Sequence, residues 1–174
     1  MKNFKFAQNF TLLILLFTGL ILLVLNWYRQ NYSMETTYTY KVNSSSIDRK
    51  LLIAKQISPF KDSIITVVAN HYKYDPVIVD VIDIAALANT DVTPFDAILI
   101  VHRWEAGAPP DVIQSFMDEN LTLKNKIIIL TTSWSGIEKM DNIDAITGAS
   151  MTENVPICTE RIFKKLDPLL NSTK

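Results

Sequence analysis

The chain has 174 residues, a formal charge of −1 and 48% hydrophobic residues. Balanced charge leaves no basic stripe for a nucleic-acid backbone, so nucleic acid is excluded as a partner class. A single cysteine, Cys158, rules out an intrachain disulfide. The length suits one domain of ordinary size plus an extra apolar element.

That element comes first. Residues 6–28 carry no charge, and their centre reads TLLILLFTGLILLVL. At about 1.5 Å per residue the run can cross a hydrocarbon core of about 30 Å. Trp27 and Tyr28 close it, where amphipathic rings favour an interface. No small-x-small cleavage site follows, so residues 1–30 read as an uncleaved single-pass anchor, not a signal peptide. Lys2 and Lys5 outweigh Arg29, which favours a cytoplasmic N-terminus with the remainder on the outer side. The expected partners are thus the membrane, through 6–28, and a redox or membrane protein beside it.

Residues 31–48, rich in Ser, Thr and Asn, form a linker. The domain proper spans 49–174. Leu51-Leu52-Ile53-Ala54 has the pattern of a strand buried on both faces. Ser58-Pro59 opens a helix as N-cap and first residue, and Ile64, Ile65, Val67 and Val68 give it an apolar face as far as His71-Tyr72. Val77–Ile82 is a second strand and residues 96–101 a third. Pro109-Pro110-Asp111 opens a helix carrying Val112, Ile113, Phe116 and Met117. Residues 126–130 are a fourth strand, and Ile143-Asp144-Ala145-Ile146 is a short candidate fifth. A last helix runs from about Val155 to Leu166.

Strands alternating with helices predict a three-layer α/β domain around a doubly wound parallel sheet, with order 2-1-3-4-5. Such sheets bind ligands at the carboxyl ends of their strands, near the switch point between strands 1 and 3. The loops of interest are therefore 55–60, 102–110, 131–142 and 147–154. Residues 133–142 are short for a parallel crossover, so strand 5 is either rudimentary or paired differently.

FDAILIVHRWEAGAPPDVIQSFMDEN followed by KNKIIILTTSWSG resembles the middle of the flavodoxin-like proteins. The resemblance covers Lys50 to Leu170 and implies a cradle for FMN. It places Trp104 and Gly107 by the flavin ring from the third loop. Thr131, Thr132, Ser133, Trp134 and Gly136 approach from the fourth. The family's hydroxyl- and glycine-rich phosphate loop is replaced here by Lys55-Gln56-Ile57-Ser58-Pro59-Phe60-Lys61. Only Ser58 keeps a hydroxyl, no glycine permits a tight wrap, and Lys61 adds charge near a helix N-terminus.

DAITGASMT, residues 144–152, resembles a second family: the FMN-binding subunits of the Rnf complex and of sodium-pumping NADH:quinone oxidoreductase. There FMN phosphate is esterified to the last threonine. The match implies Asp144, Thr147, Gly148, Ala149, Ser150 and Thr152, with Thr152 as the attachment residue. The residues themselves also fit a plain turn, in which Ser150 or Thr152 caps the last helix.

His71, His102 and Cys158 are too scattered for a metal site. His71 reads as a helix-end residue, Cys158 as core, and Arg103–Glu105 as a surface pair. No catalytic residue is identified. Three functions remain open: an FMN-binding electron-transfer protein, a non-catalytic interaction module with a degenerate flavin site, and a covalent FMN carrier modified at Thr152.

Overall fold

A computed structural model of the chain describes residues 10–11, 13–24, 49–141 and 143–171. The chain divides into two units, Met1–Thr36 and Thr37–Lys174. In the first unit, residues 10–11 and 13–24 are helical, with Leu, Ile and Phe side chains exposed. No helix formed by the described residues is long and apolar enough to cross a membrane. The expected span 6–28 extends at both ends over residues outside those described, and the linker 31–48 lies wholly outside them.

The second unit is a five-stranded parallel sheet of order β2-β1-β3-β4-β5. In chain order it contains β1 (Arg49–Lys55), α1 (Pro59–His71), β2 (Val77–Asp83), β3 (Ala97–Arg103), α2 (Asp111–Glu119), β4 (Ile127–Ser133), β5 (Ile146–Ala149) and α3 (Val155–Leu170). Helices α1 and α3 cover one face. Phe60, Ile64, Val68, Cys158, Ile162 and Leu166 pack there on Leu51, Leu99, Ile128 and Leu130. The other face carries α2, through Ile113, Phe116 and Met117, on Leu52, Ile98, Ile100 and Ile129. The alternation along β1, β3 and β4 thus feeds two cores, which is why these strands read as continuous apolar runs. Ile128 is 4% exposed, as a core position on a central strand requires.

Two connections depart from a regular winding. Between β2 and β3 the chain makes only a 3-10 turn, Ile84–Asn89, capped by the Asp83 carboxylate accepting from the Ala85 amide at 2.8 Å. Between β4 and β5 the described residues form no helix. Strand 5 also lies later than expected: pairing begins at Leu130↔Ile146 and ends at Ser133↔Ala149. Residues 143–145 fall outside the ladder because the Ala145 amide turns back to the Ile143 carbonyl at 2.9 Å.

The α1 and α3 ends are joined by a polar clamp. Buried Tyr72 donates to Asp167 Oδ1 at 2.7 Å, and His71 reaches the same oxygen at 3.3 Å while stacking on Phe163. Burial, followed by the hydrogen bond to Asp167, pushes the Tyr72 hydroxyl well above its ordinary range.

Candidate functional site

The parallel register brings the carboxyl ends of β1 and β3 together: Lys55 pairs with Val101, and the Gln56 amide donates to the Val101 carbonyl at 3.0 Å. From this switch point the chain leaves towards β2 on one side and β4 on the other, which opens a crevice between the first and third loops. Four residues of these loops act on one another here: Gln56, Arg103 and Glu105 are hydrogen-bonded, and Lys61 feels the Arg103 and Glu105 charges.

Lys61 is the unusual one. Ser58 caps α1, its hydroxyl accepting from the Lys61 amide at 3.2 Å. That makes Lys61 the third helical residue, where a capping box places Glu or Gln. The helix N-terminus carries partial positive charge, so a cation there is on the wrong end of the dipole. Lys61 is nevertheless 3% exposed. Its ammonium reaches the Ser58 hydroxyl at 3.4 Å, and among the described residues it forms no ion pair with a carboxylate. Burial, then repulsion from Arg103, pulls its pKa from 10.5 down to about 8, with Glu105 and Asp62 acting in the opposite direction. Neighbouring Lys55 is neutralised by Asp62.

The third loop is tight. Glu105 and Ala108 exchange both backbone hydrogen bonds, at 2.8 and 2.9 Å, around Ala106 and Gly107. Both central residues have positive φ, 47° and 84°, the signature of a type I′ turn. Gly107 adopts this freely, whereas Ala106 costs about 1–2 kcal/mol. The turn holds Glu105 at the crevice mouth. There its carboxylate accepts from Gln56 Nε2 at 3.0 Å and from Arg103 Nη2 at 3.3 Å, and Gln56 Oε1 accepts from the Arg103 amide at 2.6 Å. The expected Arg103–Glu105 pair is therefore part of a bridge that spans the crevice.

The hydroxyl groups expected to face a ligand are largely engaged with the protein. Thr131 and Thr132 are fully buried. Thr131 Oγ1 meets His102 Nε2 at 3.0 Å, and Thr132 donates to the His102 carbonyl at 3.1 Å. His102 Nδ1 faces the Arg103 carbonyl at 3.1 Å, and burial lowers its pKa. This histidine is a satisfied core residue and a cross-strand link. Ser133 and Ser135 both donate to Glu138, holding its carboxyl down at about 2, and Ser133 also accepts from the Gly136 amide at 2.9 Å. Gly136, at φ 74°, leaves no room for a Cβ, which would meet the Ala149 amide nitrogen at 2.9 Å. This braced loop lifts Trp134 entirely into solvent, with Ile137 75% exposed beside it.

Trp104 lies elsewhere. It is half-buried against the second core cluster, and with Gly107 it borders a groove of about 1130 Å³. Met117, Ile127, Lys139, Asp144 and Lys165 also line that groove. The groove lies along the β4–β5 connection that lacks a helix. It shares Trp104, Gly107 and Asp144 with the expected site residues. The crevice, with the buried Lys61 ammonium beside it, is the better candidate on chemistry.

A Cβ at Gly148 would stand 3.1 Å from Cys158 Sγ, so the glycine serves close packing of β5 under α3. The capping roles considered for Ser150 and Thr152 are not seen. The α3 N-cap is Asn154, and its amide side chain donates to the Ala149 carbonyl at 3.0 Å. Thr147 is half-buried, whereas Ser150 and Thr152 are exposed. Asp144 is held by Lys165, and Cys158 is buried. Among the described residues no group of His, Cys, Asp and Glu could hold a metal.

The geometry defines a doubly wound α/β domain of the flavodoxin-like strand order, a class whose members carry different ligands. No protein-family model matches the sequence, and no curated protein matches it significantly. Among solved structures, oxidised flavodoxin 2 from Bacillus cereus is similar over 70% of this chain and 99% of its own. The identity is 16% and the TM-score 0.45. The fold assignment therefore rests on the strand order and register of this chain itself.

Proposed function

We propose that the protein is a membrane-tethered flavodoxin-like domain that binds FMN non-covalently and serves electron transfer. The observation that carries this reading is Lys61, a buried cation at a helix N-terminus with no ion-paired carboxylate among the described residues. A desolvated charge in that position is costly unless an anion visits it. A phosphate at the crevice would gain the Lys61 ammonium and the Arg103 guanidinium, beside the positive end of the α1 dipole. Ser58 remains within reach of the same point, although its hydroxyl also caps the helix. Trp134, presented on a braced loop, offers a flat face to an aromatic ring. FMN supplies reversible redox chemistry when bound; the chain supplies charge, orientation and a stacking surface. The run 6–28 tethers the domain to the membrane, with the domain on the outer side.

A second reading, an interaction module without a cofactor, is favoured by one observation: Thr131, Thr132 and Ser133 are already hydrogen-bonded within the protein. The covalent reading at Thr152 is favoured by the exposure of that residue. One experiment separates the three. The full-length chain is isolated in the carbonate-resistant membrane fraction, and its visible absorption is read before and after acid precipitation. Non-covalent FMN gives yellow protein and a yellow acid supernatant, and Lys61→Met removes most of the colour. Colour retained in the pellet favours Thr152 attachment. Colourless protein that leaves added FMN fluorescence unquenched sinks the flavin reading in favour of the interaction module.

A further inference from the structure

The crevice that suits an anion already holds one. Glu105 stands at its mouth, and its carboxylate engages two donors that an incoming phosphate would use, Gln56 Nε2 at 3.0 Å and Arg103 Nη2 at 3.3 Å. This position is built, not incidental. The turn that carries Glu105 is closed by reciprocal backbone hydrogen bonds and runs through two residues of positive φ. Gln56 is locked in orientation because its other amide atom accepts from the Arg103 backbone at 2.6 Å. Lys61 is buried within electrostatic reach of both Arg103 and Glu105, and among the described residues it forms no ion pair with Glu105.

We propose that Glu105 is a displaceable internal anion, a side-chain plug that keeps the β1–β3 crevice closed until a phosphate-bearing ligand takes its place. The inference rests on the reading of the crevice as an anion site and adds how that site is regulated. Two anions cannot share these donors, because like charges in contact repel. Binding therefore requires the Glu105 carboxylate to swing out. Its side chain is 42% exposed, so it has solvent to move into. The ligand's affinity is reduced by whatever holds the plug in place. A ligand without a phosphate does not compete with Glu105 and does not feel the plug.

The test compares the full-length wild-type protein with Glu105→Gln and Glu105→Ala in detergent, titrated with FMN, with riboflavin and with inorganic phosphate. Flavin binding is read by fluorescence quenching and phosphate binding by the shift in Tm. Glu105→Gln keeps a hydrogen-bonding side chain but removes the charge, and Glu105→Ala removes the bridge altogether. Both are expected to bind FMN at least about tenfold more tightly than wild type, with riboflavin affinity unchanged. FMN affinity that stays the same or falls overturns the plug, as does an equal gain for riboflavin. If no variant binds either flavin, the flavin reading fails by itself and inorganic phosphate decides the plug. Stabilisation of the Glu105 variants at lower phosphate concentration than wild type sustains it, and identical phosphate responses overturn it. A Lys61→Met/Glu105→Gln double variant should lose the gain, which ties the effect to the buried ammonium.

Discussion

Replacing Lys61 by methionine should make the protein more stable. The two side chains are similar in length, and methionine adapts to irregular packing. In the folded state the Lys61 pKa is about 8 against an ordinary 10.5, chiefly through burial. At 1.36 kcal/mol per unit this gap is about 3 kcal/mol of destabilisation carried at pH 7. The sign follows from proton counting. Between pH 8 and 10.5 the unfolded chain keeps the Lys61 proton while the folded chain sheds it. The unfolded state then binds more protons, and stability rises with pH across this window. Below pH 8 both states are protonated and the full penalty is present. Chemical unfolding followed by Trp fluorescence should therefore place Lys61→Met about 2–4 kcal/mol above wild type at pH 7. The advantage should shrink towards zero by pH 10.5. The difference between the two proteins is the readout, because other lysines and tyrosines titrate in both. A Lys61→Met protein that is less stable than wild type, or an advantage that does not change with pH, would refute the reasoning. The same substitution should weaken phosphate and FMN binding, so stability and affinity are expected to move in opposite directions.

Two further substitutions test the packing that positions the crevice. Ile128→Ala should cost about 2–5 kcal/mol, since Ile128 is buried on β4 beneath α1 and α3; a loss below about 0.5 kcal/mol in denaturant unfolding would mean the strand is misplaced. Gly148→Ala should cost about 1–3 kcal/mol because its Cβ would lie 3.1 Å from Cys158 Sγ. Adding Cys158→Ala should recover part of that loss, and strictly additive costs in the double variant would show that the clash is not the cause.

Most of the fold was legible in the sequence, and the physical reason is the two-sided burial of the sheet. Strands β1, β3 and β4 are packed on both faces, so each had to be an apolar run, whereas the edge strand β2 buries only Val77, Val79 and Val81 and alternates. Ser58-Pro59 marked the α1 start because capping is local. Strand β5 was misread by three residues. Ile143 and Ala145 alternate like a strand, yet a turn between them ends the pattern, and pairing begins only at Ile146. Thr147-Gly148-Ala149 is strand only because β4 lies alongside, and no propensity announces it. The site was less legible. The hydroxyls of Thr131, Thr132 and Ser133 looked available because sequence does not show that His102 and Glu138 engage them. Lys61 carried a signal, a lysine at the third helical position where a capping box has an acid. The Gln56–Glu105 bridge carried none, since it depends on the register that sets Lys55 against Val101.

Two departures from local rules meet at this crevice. Lys61 places a buried cation at the positive end of a helix, and Ala106 holds a left-handed backbone that Gly would adopt at no cost. A domain selected only to fold and dock would be served better by Met at 61 and Gly at 106, and both changes are single substitutions in an otherwise consistent design. The two anomalies are also coupled through space. The strained turn holds Glu105 in place, and Glu105 is a source of negative charge felt by Lys61. The arrangement makes sense if the negative charge there is meant to be exchanged. A carboxylate that remained would be better placed in direct contact with the ammonium, as Asp62 is with Lys55. Glu105 instead sits at the mouth, bound to Gln56 and Arg103 and part-exposed to solvent. That geometry leaves the ammonium short of a partner and gives the carboxylate a way out, which is what a site for a visiting anion requires.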